Sequence, residues 1–217
     1  MSTMTKTVSN QTAKENKSAK RSKSVRMMVQ IAMLSAVAGV LMLFEFPLPF
    51  IAPSFYELDF SEVPVLIGAF AMGPAAGAMI ELIKILLNFV MNGTITAGVG
   101  ELANFLMGCA FVVPAGLIYR AKKDKKHALR GMIVGTISMA LVSAVLNSMV
   151  LLPAYGKAFG MPIDTFVAMG SAIIPAIDSL FTFCLFSVVP FNLLKGIVVS
   201  ALTFVLYKRI SRLLKGN

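Results

Sequence analysis

The lysine and arginine residues of this 217-residue chain fall into clusters that separate long apolar runs. Seven of the 20 precede Met27, six lie between Arg120 and Arg130, and four lie between Lys208 and Lys215. Such clusters are typical of short loops that stay on the cytoplasmic side of a membrane. A chain that is 57% hydrophobic also carries more apolar surface than a soluble domain of this size can bury. The sequence therefore predicts a polytopic membrane protein, and the net charge of +10 is assigned to topology rather than to nucleic-acid binding.

The apolar runs predict an all-α integral membrane protein of six transmembrane helices with a short second helix. The predicted helices are Met27–Phe46, Glu62–Met72, Pro74–Met91, Val99–Tyr119, Ala128–Leu152 and Pro190–Tyr207. The second has 11 residues and reaches about 17 Å, less than the ~30 Å of hydrocarbon in a bilayer. Long external loops are expected after the first and fifth helices. The protein is expected to lie in the plasma membrane. An even number of crossings, with the basic clusters inside, places both termini in the cytoplasm.

The rest of the chain is assigned by composition. Residues 1–26 are expected to be a disordered basic N-terminus, 27–208 the membrane domain and 209–217 a basic tail. The external segment Pro153–Asp178 is expected to hold a short helix near Phe166–Ile174. The last helix is expected to begin near Pro190, because proline is well tolerated at the first helical position. Whether residues 179–189 extend that helix outward is left open.

Polar residues recur at the same predicted depth on different helices. Each of four helices carries one asparagine within about 8 Å of the outer membrane boundary, namely Asn88, Asn104, Asn147 and Asn192. Glu101 and Lys195 lie at the same level. Any one such residue is well explained by a hydrogen bond between helices, but the set favours a polar cavity open to the outside. Lys195 is expected to pair with Glu101, with Asp178 or with a ligand.

Two further features are compatible with either packing or function. Glu81 and Lys84 are spaced i,i+3 in mid-membrane, which favours an internal ion pair over a proton- or sodium-coupled carrier site. Ala32, Ala36 and Gly39 form a stripe of small residues on the first helix. Such a stripe allows close approach of a helix, either from this chain or from another membrane protein.

Enzymatic and metal-binding functions find little support. The only histidine, His127, lies in a basic loop, and the cysteines Cys109 and Cys184 both lie in apolar runs. The sequence Gly98-x-Gly100-x-x-Ala103 matches a dinucleotide fingerprint but lacks the preceding strand that would give it meaning. We expect no catalytic residues, no metal and no bound cofactor.

Three stretches resemble the substrate-binding (S) component of energy-coupling-factor (ECF) vitamin transporters, specifically the riboflavin type. They are "FPLPFIAPSFYELDFSEVPVLIGAFAMGP" (46–74), "NGTITAGVGELANFL" (92–106) and "PFNLLKG" (190–196). The resemblance covers about Val25–Leu213. It implies a six-helix protein that binds riboflavin at its outer face under a lid formed by the first loop.

The resemblance also implies partners and residue roles. The partners are a transmembrane T component, which meets the stripe of Ala32 and Ala36, and two ATPase subunits that use ATP. The whole S component would topple in the lipid to carry the ligand inward. Asn192 and Lys195 should contact the flavin, with Asn147 and the lid residues Phe55, Tyr56 and Leu58 nearby.

Alternatives remain at this stage. Riboflavin monophosphate could bind if its phosphate projects into external water. The chain could instead serve another vitamin such as thiamine, act as a secondary carrier through Glu81 and Lys84, or be a structural or assembly protein of the membrane.

Overall fold

The computed structural model describes the backbone of residues 2–94 and 97–215, and the side chains of residues 21–94 and 97–207. The helices are α1 (Ser2–Met42), α2 (Glu62–Met72), α3 (Pro74–Asn92), α4 (Val99–Ala121), α5 (Lys125–Leu146), α6 (Leu152–Phe159), α7 (Ile163–Ser171), α8 (Leu180–Phe183) and α9 (Val189–Lys215). Between α1 and α2, the short strands β1 (Phe46–Pro47) and β2 (Glu57–Leu58) pair antiparallel.

Five described stretches are long and apolar enough to cross a membrane. They are Arg21–Met42, Pro74–Asn92, Val99–Ala121, Lys125–Phe159 and Leu180–Tyr207. With the shorter apolar helix α2 they make about six helices, which confirms the predicted all-α membrane fold.

Helix α2 lies at the centre of the bundle. All residues from Glu62 to Phe70 are buried, and the helix packs against α1, α3, α4 and α9. A helix that is apolar on every side is stable only when neighbours surround it, which explains why so short an element lies inside the bundle. Its residues form the main core with Phe111, Val112 and Met132.

Helix α1 begins at Ser2, which differs from the expectation of disorder over residues 1–26. That segment contains neither glycine nor proline, and its lysine, alanine and glutamine residues favour helix. At the other end α9 continues to Lys215, and the side chains of the predicted tail 209–217 lie outside the described part of the chain. Helix α3 ends at Asn92, one residue later than predicted, and α4 begins at the predicted Val99; residues 95–96 of the connection between them are not described.

The last membrane helix begins ten residues before the predicted Pro190. Leu180 starts it, with Ser179 as a capping box: the Ser179 Oγ accepts a hydrogen bond from the Thr182 N–H. A π-helical turn, Cys184–Val188, then leads into α9. Pro190 is tolerated inside the helix because the wider π-helical turn before it accommodates both the proline ring and the missing N–H donor.

The fifth membrane helix repeats this arrangement. A π-helical turn, Asn147–Leu151, connects α5 to α6, and Pro153 follows two residues later. The helix therefore reaches Phe159 and shortens the predicted loop Pro153–Asp178. The short helix of that segment is Ile163–Ser171, three residues earlier than predicted.

Candidate ligand-binding site

A cavity of about 580 Å³ opens at the end of the bundle where α3 ends and α4 begins. That volume lies in the range of sites for drug-sized ligands, about 300–1,000 Å³. The predicted site residues that line it are Asn88, Glu101, Asn104, Asn147, Asn192, Lys195, Phe55 and Tyr56. Leu58 does not line it: its side chain is 3% exposed and packs with Ala52 and Phe191 beneath the first loop. The reason is the strand β2, whose alternation turns Glu57 to the cavity and Leu58 to the core.

Lys195 is paired with Asp59, a carboxylate that the sequence reasoning placed only in the external loop. The Lys195 Nζ lies 2.7 Å from the Asp59 Oδ2, and both side chains are nearly buried. The expected partners are engaged elsewhere, because Asp178 accepts a hydrogen bond from Thr182 and Glu101 accepts one from Thr94. The earlier start of the helix explains this difference, since it places Lys195 about four turns inside the helix rather than at its first turns.

This ion pair fixes the charge of Asp59. Burial alone would raise the pKa of the Asp59 carboxyl. The ammonium groups of Lys195 and Lys84, with hydrogen bonds from Lys195 and Ser61, instead lower it to about 2. Asp59 is therefore ionised at neutral pH and holds Lys195 at the cavity wall.

Two of the asparagines are held by their own helices. The Asn147 Nδ2 donates to the Ser143 carbonyl at 2.8 Å, and the Asn192 Nδ2 donates to the Val188 carbonyl at 2.9 Å. The Asn147 Oδ1 accepts a hydrogen bond from the Tyr56 hydroxyl at 2.5 Å. The amide of each asparagine is thus fixed in orientation before any ligand arrives.

The hairpin loop, residues 46–58, is fastened over the cavity at the two π-helical turns. Tyr56 bonds Asn147 in the first turn, and the Ser187 Oγ of the second donates to the Ile51 carbonyl at 3.0 Å. Phe55 lies edge-on to Tyr155 and Phe166, with ring centroids 6.2 and 5.8 Å away. The loop thereby closes the cavity with an aromatic wall.

Carboxylates that sequence reasoning did not assign to the site also line the cavity. They are Glu45, Glu57, Asp59 and Glu62. Partial burial, with the nearby carboxylates of Glu57 and Asp59, raises the pKa of Glu45 to about 7. The acids of the first external loop are visible in the sequence, but only the folded hairpin loop brings them to the cavity.

The predicted ion pair of Glu81 and Lys84 within α3 is confirmed, and Glu62 of α2 joins it as a third member. The Lys84 Nζ lies 2.7 Å from an oxygen of Glu81 and 2.7 Å from an oxygen of Glu62. Glu62, at the start of α2, lines the cavity, so this charged cluster forms part of its floor.

The stripe of small residues on α1 divides between two environments. Ala32 and Ala36 are exposed, whereas Gly39 is buried. A Cβ at Gly39 would lie 3.3 Å from the Leu87 side chain of α3, so Gly39 serves packing within this chain. Of the three residues of this stripe, Ala32 and Ala36 are the two that other molecules can contact.

Residues 26–207 match the family model described as the ECF transporter, substrate-specific component. The chain belongs to this family. A curated relative of this S component, the riboflavin transporter RibU of Staphylococcus aureus (strain TCH60), is 38% identical over 87% of this chain and 92% of its own length. The riboflavin transporter FmnP of Bacillus subtilis (strain 168) is 31% identical over 84% of this chain and 90% of its own.

A solved structure of another protein has a similar fold. A solved structure described as the S component of a bacterial ECF transporter shares 38% identity and superposes with a TM-score of 0.69. The match covers 88% of this chain and 99% of that one.

Proposed function

We propose that this S component captures riboflavin in the cavity under the hairpin loop and delivers it across the membrane as part of an ECF transporter. The observation that carries the proposal is the cavity itself, which belongs to a chain 38% identical to a riboflavin transporter over nearly its whole length. Asparagine amides offer both donors and acceptors, which suits a neutral ligand with carbonyls and hydroxyls. Phe55, Tyr155 and Met107 supply apolar, polarizable surface for a flat ring.

Within this site Lys195 and Asn192 are the proposed polar contacts of the flavin. Both line the cavity, and both are held in place by partners other than the ligand. Asn147 and Tyr56 are proposed to couple the flavin to closure of the hairpin loop, since they form the hydrogen bond that fastens it.

Riboflavin is favoured over riboflavin monophosphate by the charge of the wall. The carboxylates Glu57, Asp59 and Glu101 line the cavity, and Lys195 is already paired with Asp59. A dianionic phosphate inside such a wall meets like charge and few cations, whereas neutral riboflavin does not.

The rest of the transporter is inferred from family membership and surface chemistry. The exposed face of Ala32 and Ala36 fits close approach of a helix of a T component. Two ATPase subunits would supply energy from ATP, so this chain itself need not be an enzyme. The basic clusters support an orientation with both termini in the cytoplasm and the cavity at the outer face.

Uptake by cells that depend on external riboflavin tests this proposal. Cells producing this chain with its T component and ATPases should accumulate labelled riboflavin, and deleting the ATPases should abolish uptake. Uptake that persists without ATPases would instead support a secondary carrier using Glu81 and Lys84. Uptake of labelled thiamine but not riboflavin would show an S component for another vitamin.

A further inference from the structure

The cluster on the cavity floor joins two carboxylates to one ammonium. Glu62 of α2 and Glu81 of α3 each place one oxygen 2.7 Å from the Nζ of Lys84. The side chains are 3%, 0% and 1% exposed, respectively. Such burial removes the water that would otherwise stabilise an unbalanced charge.

The charges around the cluster do not balance it. Asp59, which directly follows the hairpin loop, and Lys195 of α9 face it as a pair of zero net charge. The neighbouring titratable group on α4 is the Cys109 thiol, which supplies no positive charge. Among the described residues near the cluster, three carboxylates therefore meet two ammonium groups, which leaves one negative charge buried without compensation.

The same two carboxylates have oxygens without partners. The Glu62 Oε2 and Glu81 Oε2 are fully buried and accept no hydrogen bond from the residues that the structure describes. Both carboxylates converge on Gly108 of α4, where an added Cβ would contact the Glu81 carboxylate and lie 3.1 Å from the Glu62 Oε1. An ionised carboxylate has only acceptors, so two of them cannot satisfy each other without a proton.

We propose that Glu62 and Glu81 hold one proton between them, so that Glu62, Lys84 and Glu81 form a proton-binding site in the floor of the cavity. With that proton the cluster contains one carboxylate, one carboxylic acid and one ammonium, and its net charge is zero. Because Glu62 also lines the cavity, the proton lies beside the ligand's position. The site does not depend on which ligand occupies the cavity.

Infrared difference spectroscopy between samples in water and in deuterium oxide tests this on the full-length protein in nanodiscs at neutral pH without ligand. Every sample, including the one called wild type, carries Glu45→Gln, because the Glu45 carboxyl, with a pKa of about 7, would add a band of its own. A protonated carboxylic acid has a carbonyl stretch separate from the carboxylate bands, and the band shifts in deuterium oxide. We expect such a band in the wild type. Glu81→Gln and Glu62→Gln should each remove it, because one remaining carboxylate balances Lys84 and no longer needs a proton.

The controls separate this proton from others. Asp164→Asn changes an exposed carboxyl far along the chain and should leave the band unchanged. Circular dichroism and melting temperature establish that each glutamine variant is folded. A band that survives in either folded glutamine variant would overturn the proposal. So would the absence of the band in the wild type. A wild-type melting temperature that depends on the concentration of sodium would also overturn it, because the site would then bind sodium instead of a proton. These outcomes are independent of riboflavin binding, which is measured separately.

Discussion

Lys195 carries two roles that a double substitution can separate. Lys195→Met removes a proposed ligand contact and leaves the Asp59 carboxylate buried without its nearest cation. We expect riboflavin affinity to fall more than tenfold, about 1.4 kcal/mol, and the melting temperature to fall as well. Adding Asp59→Asn should restore the melting temperature but not the affinity. Fluorescence titration and thermal unfolding measure the two effects.

Lys157→Met is the matched control, because Lys157 is exposed on α6 at the same end of the bundle. It should change neither quantity. Full recovery of affinity in the double variant would show that Lys195 only supports Asp59 and does not contact the ligand.

Glu45 should make ligand retention depend on pH. Its pKa of about 7 lies above the ordinary value of 4.5, so the folded protein holds a proton there that the unfolded chain has lost. Stability therefore falls as pH rises from about 4.5 to 7, and above 7 the ionised Glu45 repels Glu57 and Asp59. Asp59, with a pKa of about 2, stays ionised throughout this window. We expect riboflavin to dissociate faster as pH rises through about 7.

Stopped-flow dissociation at a series of pH values measures this dependence. Glu45→Gln should flatten the profile between pH 6 and 8, whereas Asp164→Asn should not. A profile that is unchanged in Glu45→Gln would show that another group sets it.

At the scale of single residues the sequence predicts where the asparagines lie in the fold, but not which carboxylates lie beside them. Helix periodicity and topology bring Asn88, Asn104, Asn147 and Asn192 to one level, and the structure lines one cavity with all four. Asp59 pairs with a lysine 136 residues away. That contact depends on the path of an irregular loop, which no periodic pattern encodes.

Among the elements, the hairpin loop and the π-helical turns act together. Tyr56→Phe keeps the ring but removes the hydroxyl that bonds Asn147. Loss of one buried hydrogen bond costs about 1 kcal/mol, so riboflavin should dissociate roughly five times faster. Tyr119→Phe is the control, because it removes a hydroxyl that bonds Tyr207 at the other end of the bundle. Equal dissociation rates for Tyr56→Phe and the wild type would exclude the loop as a lid.

The exposed alanines of α1 are the proposed docking face for a partner helix. Ala32→Leu with Ala36→Leu should abolish ATPase-dependent uptake and spare riboflavin binding, because the added side chains prevent close approach of a partner helix. Ala201→Leu, at an exposed alanine of α9, should have no effect on uptake. Loss of binding together with uptake would contradict the separation of the docking face from the cavity.

Element boundaries were predicted where the sequence contains a local signal. Helices α2 and α3 begin at the predicted residues, since Ser61-Glu62 and Gly73-Pro74 are helix-start signals. The last membrane helix begins ten residues before Pro190, so residues 180–189 form the outward extension that the sequence allowed, and a π-helical turn lets Pro190 lie inside it. Proline alone does not distinguish these cases.

For the whole molecule, charge distribution and hydropathy were sufficient to predict the architecture. A membrane bundle with a short second helix is predicted from the composition, the three basic clusters and the six apolar runs. The structure has that short helix at its centre. The charge balance of the cavity floor was not predictable, because it depends on charged residues of α2, α3 and α9 and on Asp59, which meet only in the folded chain.

Equilibrium titration of the purified protein in nanodiscs tests the central claim most directly. We predict that riboflavin emission is quenched on binding, that the quenching saturates at one riboflavin per protein, and that an excess of thiamine does not restore the emission. Absence of saturable quenching with folded protein would contradict the account.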